Sequence, residues 1–171
     1  MMNIFAELEI YSSKIAAITE TNKKISYKEL LEKADSIGNY IGNRCLVFLV
    51  INNNLESLTG YIGLVRAEAV VMLINENIDD LLLYNLLNKY KPEYVYAPIS
   101  KSFRKLNFSS VFYGNNYILN KTDYFIDYEL HNDLSLLLST SGSTGSPKQV
   151  RQSYKNVYSN TVSISQYLGI T

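Results

Sequence analysis

The chain has 171 residues, and 47% of them are hydrophobic, enough to build one domain with a buried core. Sixteen basic and sixteen acidic residues cancel, so the charge balance points to neither a nucleic-acid partner nor an anionic membrane. A lone cysteine excludes a disulfide framework, and no stretch reaches about twenty apolar residues. We therefore expect one soluble, cytoplasmic domain over residues 1–171.

The first predicted elements are a short helix and a small hairpin within residues 1–26. Ser26 and Glu29 then form a capping box, in which each side chain satisfies a free backbone donor of the other residue. The helix that follows carries apolar residues at helical spacing: Leu30, Ala34, Ile37 and Ile41. This pattern predicts a helix of about four turns with one buried face.

Apolar runs rich in β-branched residues alternate with two further helices. The runs predict strands over 45–51, 69–74 and 94–97. Asn53 or Asn54 can cap the first helix, Asp79 and Asp80 open the second, and Pro92 stops it. Their predicted inward residues are Leu55, Leu58, Ile62 and Val65, then Leu82, Leu83, Leu86 and Tyr90. This alternation predicts an α/β fold, with a mostly parallel sheet and helices on both faces.

The middle of the chain is less regular. We predict a strand over 110–113 and a solvated basic segment over 101–105, to which we assign no function. Beyond it, residues 134–138 predict a buried strand and residues 149–153 a second strand. Ser153 can cap a last helix, which Gly169 would end and which carries Val157, Thr161, Ile164 and Leu168.

A hydroxyl- and glycine-rich segment, residues 140–148, lies between these two last strands. Such a backbone can turn and present successive N–H groups to an anion, while the hydroxyls and Lys148 add donors and positive charge. A flexible linker is disfavoured, because strands are predicted directly before and after the segment. A Walker-type loop fails as well, since Pro147 precedes Lys148 and Gln149 follows it. The segment therefore predicts polyphosphate binding.

The motif Ser-Gly-Ser-Thr-Gly-Ser-Pro-Lys over residues 141–148 resembles the phosphate-loop signature of the adenylate-forming superfamily. That superfamily includes acyl- and aryl-CoA synthetases, luciferases and the adenylation domains of nonribosomal peptide synthetases. Residues 27–30, Tyr-Lys-Glu-Leu, and residues 63–71 resemble the family more weakly. The chain also departs from the family at four positions: Glu68 and Gln149 replace usual glycines, Met72 stands near a usual proline, and Tyr154 replaces a frequent histidine.

The resemblance implies a two-step activation of a carboxylic acid. ATP and the acid would give an acyl-adenylate and pyrophosphate, and the acyl group would pass to CoA or to a carrier pantetheine. The ATP phosphates would be held by Thr140, Ser141, Gly142, Ser143, Thr144, Gly145 and Lys148, with Mg²⁺ bridging them. Catalytic and metal-binding residues of relatives lie downstream of this motif. We therefore expect the N-terminal part of a ligase, inactive without its C-terminal remainder.

A second interpretation remains open: a stand-alone, non-catalytic binding or interaction domain that keeps the fold. Other chemistry finds little support, because the sole histidine, His131, lies in a polar turn and metal-ligand spacing is absent. Under either interpretation exposed strand edges and apolar helix faces make self-association plausible.

Overall fold

The structure is a computed structural model that describes residues 4–101, 103, 106–126, 128–139 and 149–170. The strands are β1 (Ile15–Ile18), β2 (Lys24–Ser26), β3 (Leu46–Ile51), β4 (Val70–Asn75), β5 (Tyr94–Pro98), β6 (Ser109–Tyr113), β7 (Tyr117–Lys121), β8 (Leu134–Ser139) and β9 (Gln149–Ser153). The helices are α1 (Tyr27–Gly38), α2 (Leu55–Arg66), α3 (Asp80–Tyr90) and α4 (Tyr154–Leu168), preceded by a short 3₁₀ helix, Leu8–Tyr11.

A seven-stranded sheet in the order β6-β7-β5-β3-β4-β8-β9 organises the domain, and β1 and β2 form a separate hairpin. The four inner strands β5, β3, β4 and β8 are mutually parallel, whereas β7, β6 and β9 add antiparallel pairings at the two edges. The predicted α/β class with a mostly parallel sheet is confirmed, and the edges make the sheet mixed. Parallel pairing brings the carboxyl ends of β3, β4 and β8 to the same edge.

Alternate side chains of β3 enter two different cores. Val47 and Leu49 pack with residues of α1 and α2 on one face of the sheet. Phe48 and Val50 pack with leucines of α3 on the other face. All four side chains are fully buried, as expected for a strand in a parallel sheet covered by helices on both sides.

The helix starts follow the predicted capping chemistry. Ser26 and Glu29 form the full capping box of α1, and Asn54 accepts the Ser57 N–H at 2.8 Å to cap α2. The predicted inward face of α2 is wrong at Leu58, which is 39% exposed. Leu64 is fully buried instead, because α2 is held between α1 and the sheet and therefore buries more than one stripe.

Strand β7 was not predicted. Its sequence, Tyr-Ile-Leu-Asn-Lys, includes Asn120, a polar residue that interrupts the expected apolar pattern. Asn120 is nevertheless buried, and its Oδ1 accepts the Ser110 hydroxyl of β6 at 2.9 Å. A cross-strand partner thus satisfies a buried amide that sequence periodicity alone would place at the surface.

Two backbone positions favour glycine for different reasons, Gly63 because of a close contact between α1 and α2 and position 68 because of its own backbone conformation. A Cβ at Gly63 would lie 2.1 Å from the Ala34 carbonyl oxygen, so α1 and α2 can cross only where α2 has a glycine. Glu68, which follows α2, has φ +61°, a left-handed conformation that favours glycine. This geometry explains physically why glycine suits position 68.

Among the described residues, no helix combines the length and apolar character that a membrane crossing requires.

Candidate functional site

The strand that leads into the phosphate-loop motif is a well-anchored member of the sheet. β8 pairs in parallel with β4, and Leu136 and Leu138 lie opposite Val71 and Leu73. Ser135, Leu136 and Leu137 are buried, and its last residue, Ser139, is exposed. The chain therefore reaches the carboxyl edge of the sheet at Ser139, where open α/β sheets bind ligands.

The chain returns to the sheet beside the point where it left. β9 runs antiparallel to β8, and Gln149, its first residue, lies directly opposite Ser139. The Gln149 amide Nε2 donates a hydrogen bond to Ser139 Oγ at 3.0 Å, and this hydroxyl lies 3.3 Å from Gln149 Oε1. The two ends of the 140–148 segment are therefore held together by backbone pairing and by side chains.

The predicted phosphate-binding residues lie outside the described part of the chain. They are Thr140, Ser141, Gly142, Ser143, Thr144, Gly145 and Lys148. Their contacts with ATP stay predictions, whereas both strands that bracket them are described.

A polar network not foreseen from the sequence stabilises the neighbouring loop at the same edge. The Ser57 hydroxyl accepts the Asn52 N–H at 2.9 Å and lies 2.8 Å from the Tyr117 hydroxyl. Burial is the main influence on Tyr117 and raises the pKa of its phenol. Because the network joins the end of β3, the start of α2 and the start of β7, only the folded chain brings these residues together.

An open groove of about 820 Å³ lies beside this network, between the β1–β2 hairpin and the start of α2. Its lining combines apolar residues such as Ile51 and Leu73 with the amides of Asn52, Asn53 and Asn54. Ile51 is the last residue of β3, and Leu73 lies near the end of β4. The groove therefore opens at the sheet edge that β8 reaches.

The two other side chains of ordinarily reactive type, Cys45 and His131, lie before the starts of β3 and β8, at the opposite edge of the sheet. Cys45 is buried, and burial raises the pKa of its thiol to about 12, so a thiolate nucleophile does not form there at neutral pH. His131 is exposed, and its backbone carbonyl accepts an Arg44 N–H at 2.9 Å. Within the described ranges no group of histidine, cysteine and acidic side chains could hold a metal ion.

Tyr154, which departs from the family pattern, lies in the core at the opposite end of β8. It is 5% exposed, and its hydroxyl lies 3.4 Å from Arg44 Nη1. β9 ends at Ser153 opposite Leu134, the first residue of β8, so Tyr154 is about 17 Å along the strand from Ser139. A role in packing accounts for this tyrosine.

Comparisons with known proteins agree on one family. The family model described as "AMP-binding enzyme" matches residues 6–170. The chain is similar to the D-alanine–D-alanyl carrier protein ligase of Staphylococcus aureus strain JH9, with 23% identity over 162 residues, 92% of this chain and 33% of that ligase. The chain thus spans about a third of the length of the curated relatives it matches.

Solved structures of similar proteins share the fold. Apo MatB from Rhodopseudomonas palustris superposes with a TM-score of 0.75 at 23% identity, over 99% of this chain and 38% of that one. O-succinylbenzoate coenzyme A synthetase (MenE) from Bacillus subtilis, in complex with AMP, gives a TM-score of 0.75 at 18% identity, over 100% and 47%. Because the family model matches nearly the whole chain, this protein belongs to the AMP-binding enzyme family.

Proposed function

We propose that this chain forms the N-terminal part of an AMP-forming ligase that activates a carboxylic acid with ATP. The reaction would give an acyl-adenylate and pyrophosphate, followed by transfer of the acyl group to a thiol. The observation that carries the proposal is the family match over residues 6–170, which includes the complete phosphate-loop motif. Names of similar proteins include a carrier protein ligase and a coenzyme A synthetase, so both acceptor classes are candidates.

The proposed role of residues 140–148 is to bind the β- and γ-phosphates of ATP. Backbone N–H groups and hydroxyls of Thr140 to Gly145 would donate to phosphate oxygens, with Thr144 the leading side-chain contact. Lys148 would neutralise charge on the departing pyrophosphate. The position of Ser139 and Gln149 at the carboxyl edge of a parallel sheet supports this role.

Mg²⁺ would reduce the repulsion among the ATP phosphates when it is bound. Among the described residues no cluster of three or more histidine, cysteine and acidic side chains could hold a metal ion. The ion would be held mainly by the phosphates of ATP, with one or two side-chain ligands. ATP would likewise need contacts beyond the phosphate loop, because high affinity comes from many groups acting together. We therefore expect residues 1–171 alone to bind ATP weakly and to catalyse no adenylation without the C-terminal remainder of the enzyme.

The experiment is pyrophosphate exchange into ATP, measured over a panel of carboxylic acids, with protein made from the complete reading frame that contains residues 1–171. One acid class should support exchange. Lys148→Ala should reduce the exchange rate by about 100-fold, because losing a group that stabilises developing charge has an effect of that size. Thr144→Ala should also reduce the exchange rate.

Matched controls are available on α4. Lys155→Ala and Thr161→Ala remove the same residue types from exposed positions and should leave the exchange rate unchanged. Exchange with no acid in the panel, or equal rates in the Lys148→Ala and Lys155→Ala proteins, would contradict the proposal.

A further inference from the structure

The second half of α4 exposes apolar side chains that no element in the described part of the chain covers. Ile164, Tyr167 and Leu168 are spaced three and four residues apart, so they share one face of the helix, and each is more than half exposed. Ile170, just beyond the end of the helix, is 63% exposed. We call these four residues the α4 face.

The α4 face continues a stripe that begins in the core. Val157, two turns before Ile164, packs against the core on the α1 and α2 side of the sheet. Positions 157, 161, 164 and 168 recur at helical spacing, so one stripe is partly buried at its start and exposed at its end. Such a stripe is typical of a helix that packs along its whole length, whereas β8 and β9 support only the first turns of α4.

The second half of α4 also lacks the charged residues of a helix surface that faces water. Residues 156–171 contain no lysine, arginine, histidine, aspartate or glutamate. The exposed side of α1, by contrast, carries Lys28, Glu29, Glu32 and Lys33. Depletion of charge together with exposed tyrosine is typical of the centre of an interface between proteins. A lipid surface is disfavoured, because helices that lie on membranes are rich in lysine and arginine.

We propose that the α4 face is the docking surface for the part of the proposed ligase that lies outside residues 1–171. This inference rests on the proposed function. The chain spans about a third of the length of its curated relatives, so most of the proposed ligase is available to cover this face. A covalently attached segment has a high effective concentration and therefore competes well with a second copy of the chain. The docked segment should be apolar and uncharged where it meets α4, because burying an unpaired charge is costly.

The experiment is maleimide labelling of Ile164→Cys, in a Cys45→Ala background, in two proteins. One protein consists of residues 1–171, and the other is made from the complete reading frame that contains them. Mass spectrometry of the α4 peptide gives the labelling rate at position 164 in each. We expect labelling to be about 100-fold slower in the complete protein, because a covered thiol reacts only after local opening.

A matched control lies two residues along the same half of α4. Gln166 is exposed and lies on the opposite side of the helix from Ile164. Gln166→Cys, in the same Cys45→Ala background, should therefore react at the rate of a free thiol in both proteins.

A charge on the α4 face tests the docking directly. In the complete protein, Leu168→Asp should speed labelling at position 164 by about tenfold or more, because docking would bury the new carboxylate. Gln166→Asp should leave that rate unchanged. In residues 1–171 alone, neither aspartate should alter labelling at position 164, since this position is already exposed.

The failures of the two proposals are distinguishable. Equally fast labelling at position 164 in both proteins would overturn the docking role, while carboxylate-dependent pyrophosphate exchange by the same complete protein would leave the ligase proposal standing. Slow labelling without exchange would support the docking surface and contradict the ligase. Slow labelling of residues 1–171 that depends on protein concentration would assign the α4 face to a second copy, and protection of that chain only by phosphatidylglycerol vesicles would assign it to lipid. Either of these last two results would overturn the inference.

Discussion

Strand β3 and helix α4 both carry strong apolar patterns, yet they end in opposite environments. Five of the six residues of β3 are buried, and its side chains contribute to cores on both faces of the sheet. In α4 only Tyr154 is buried. The difference shows that an apolar pattern determines the type of element, while burial depends on what packs against it.

The two halves of α4 differ in burial in the same way, although they belong to one helix. Its first turns rest on the core through Tyr154 and Val157. Its later turns carry Ile164, Tyr167 and Leu168, which are 57%, 89% and 59% exposed. Nothing in the described part of the chain covers that half of the helix. Local capping by Ser153 and Gly169 is therefore enough to define both ends of α4, although much of its apolar surface stays open.

The largest expected effect is the difference in the free energy of unfolding between two leucine truncations, one in β3 and one in α4. Leu49→Ala should lower the free energy of unfolding by about 2–5 kcal/mol, because Leu49 is fully buried between other side chains. Leu168→Ala should change it by less than about 0.5 kcal/mol, since Leu168 is exposed. Urea denaturation of residues 1–171 measures both values. Equal losses would show that the exposed half of α4 is covered in solution.

An intermediate effect is expected at Arg44, which connects the two regions compared. Its guanidinium donates to the carbonyl oxygens of Glu68 (2.8 Å), His131 (2.9 Å) and Leu134, and it lies 6.0 Å from the Tyr154 ring centre. Arg44→Ala leaves these carbonyls without their charged donor. It should therefore lower the free energy of unfolding by about 2 kcal/mol.

The control for Arg44 is Arg151→Ala, which removes an exposed arginine from β9 and should change the free energy of unfolding by less than about 0.5 kcal/mol. The same urea titration compares the two variants. An Arg44→Ala protein as stable as Arg151→Ala would mean that α4 and β8 hold their positions without this side chain.

The smallest expected effect concerns Cys45, the only cysteine of the chain, which directly precedes β3. Burial raises the pKa of its thiol from 9.0 to about 12. Above pH 9.0 the unfolded thiol loses its proton while the folded thiol keeps it, so stability falls as the pH rises. Ionisation of the Cys45 thiol in the unfolded chain should lower the free energy of unfolding by about 1 kcal/mol between pH 9 and 10. Cys45→Ala should show a correspondingly shallower decline in unfolding free energy over that range.

The rate of thiol labelling at neutral pH gives a second comparison of β3 with the exposed half of α4. Cys45 should react with a maleimide only when the chain opens, since its side chain is buried. In a Cys45→Ala background, Ile164→Cys places a thiol on the exposed half of α4 and should react at the rate of a free thiol. Fast labelling of Cys45 would show that the start of β3 is open.

Much of the local structure could be predicted because its causes lie within a few residues. The Ser26–Glu29 capping box, the Asn54 and Asp79 caps and the end of α4 at Gly169 all appeared where short-range hydrogen bonding predicts them. The alternation of apolar strands and amphipathic helices was likewise enough to predict the α/β class. The phosphate-loop motif predicted the family, and the comparisons confirmed that prediction.

Features that depend on distant partners could not be predicted. Strand β7 was missed because Asn120 is buried against Ser110, and the burial of Leu64 was missed because α2 packs against two neighbours. The contact between Ser139 and Gln149 depends on an antiparallel register that residue patterns do not encode.

The amino-acid sequence by itself thus determined most of the elements, their caps, the fold class and the family, because propensity, periodicity and motif chemistry act over short distances. Only the tertiary structure decided which apolar faces are buried, how Arg44 joins β3 to α4, and that Ser139 and Gln149 meet at the base of the loop. These outcomes depend on packing and pairing between residues far apart in the chain, and the folded sheet alone brings those residues together.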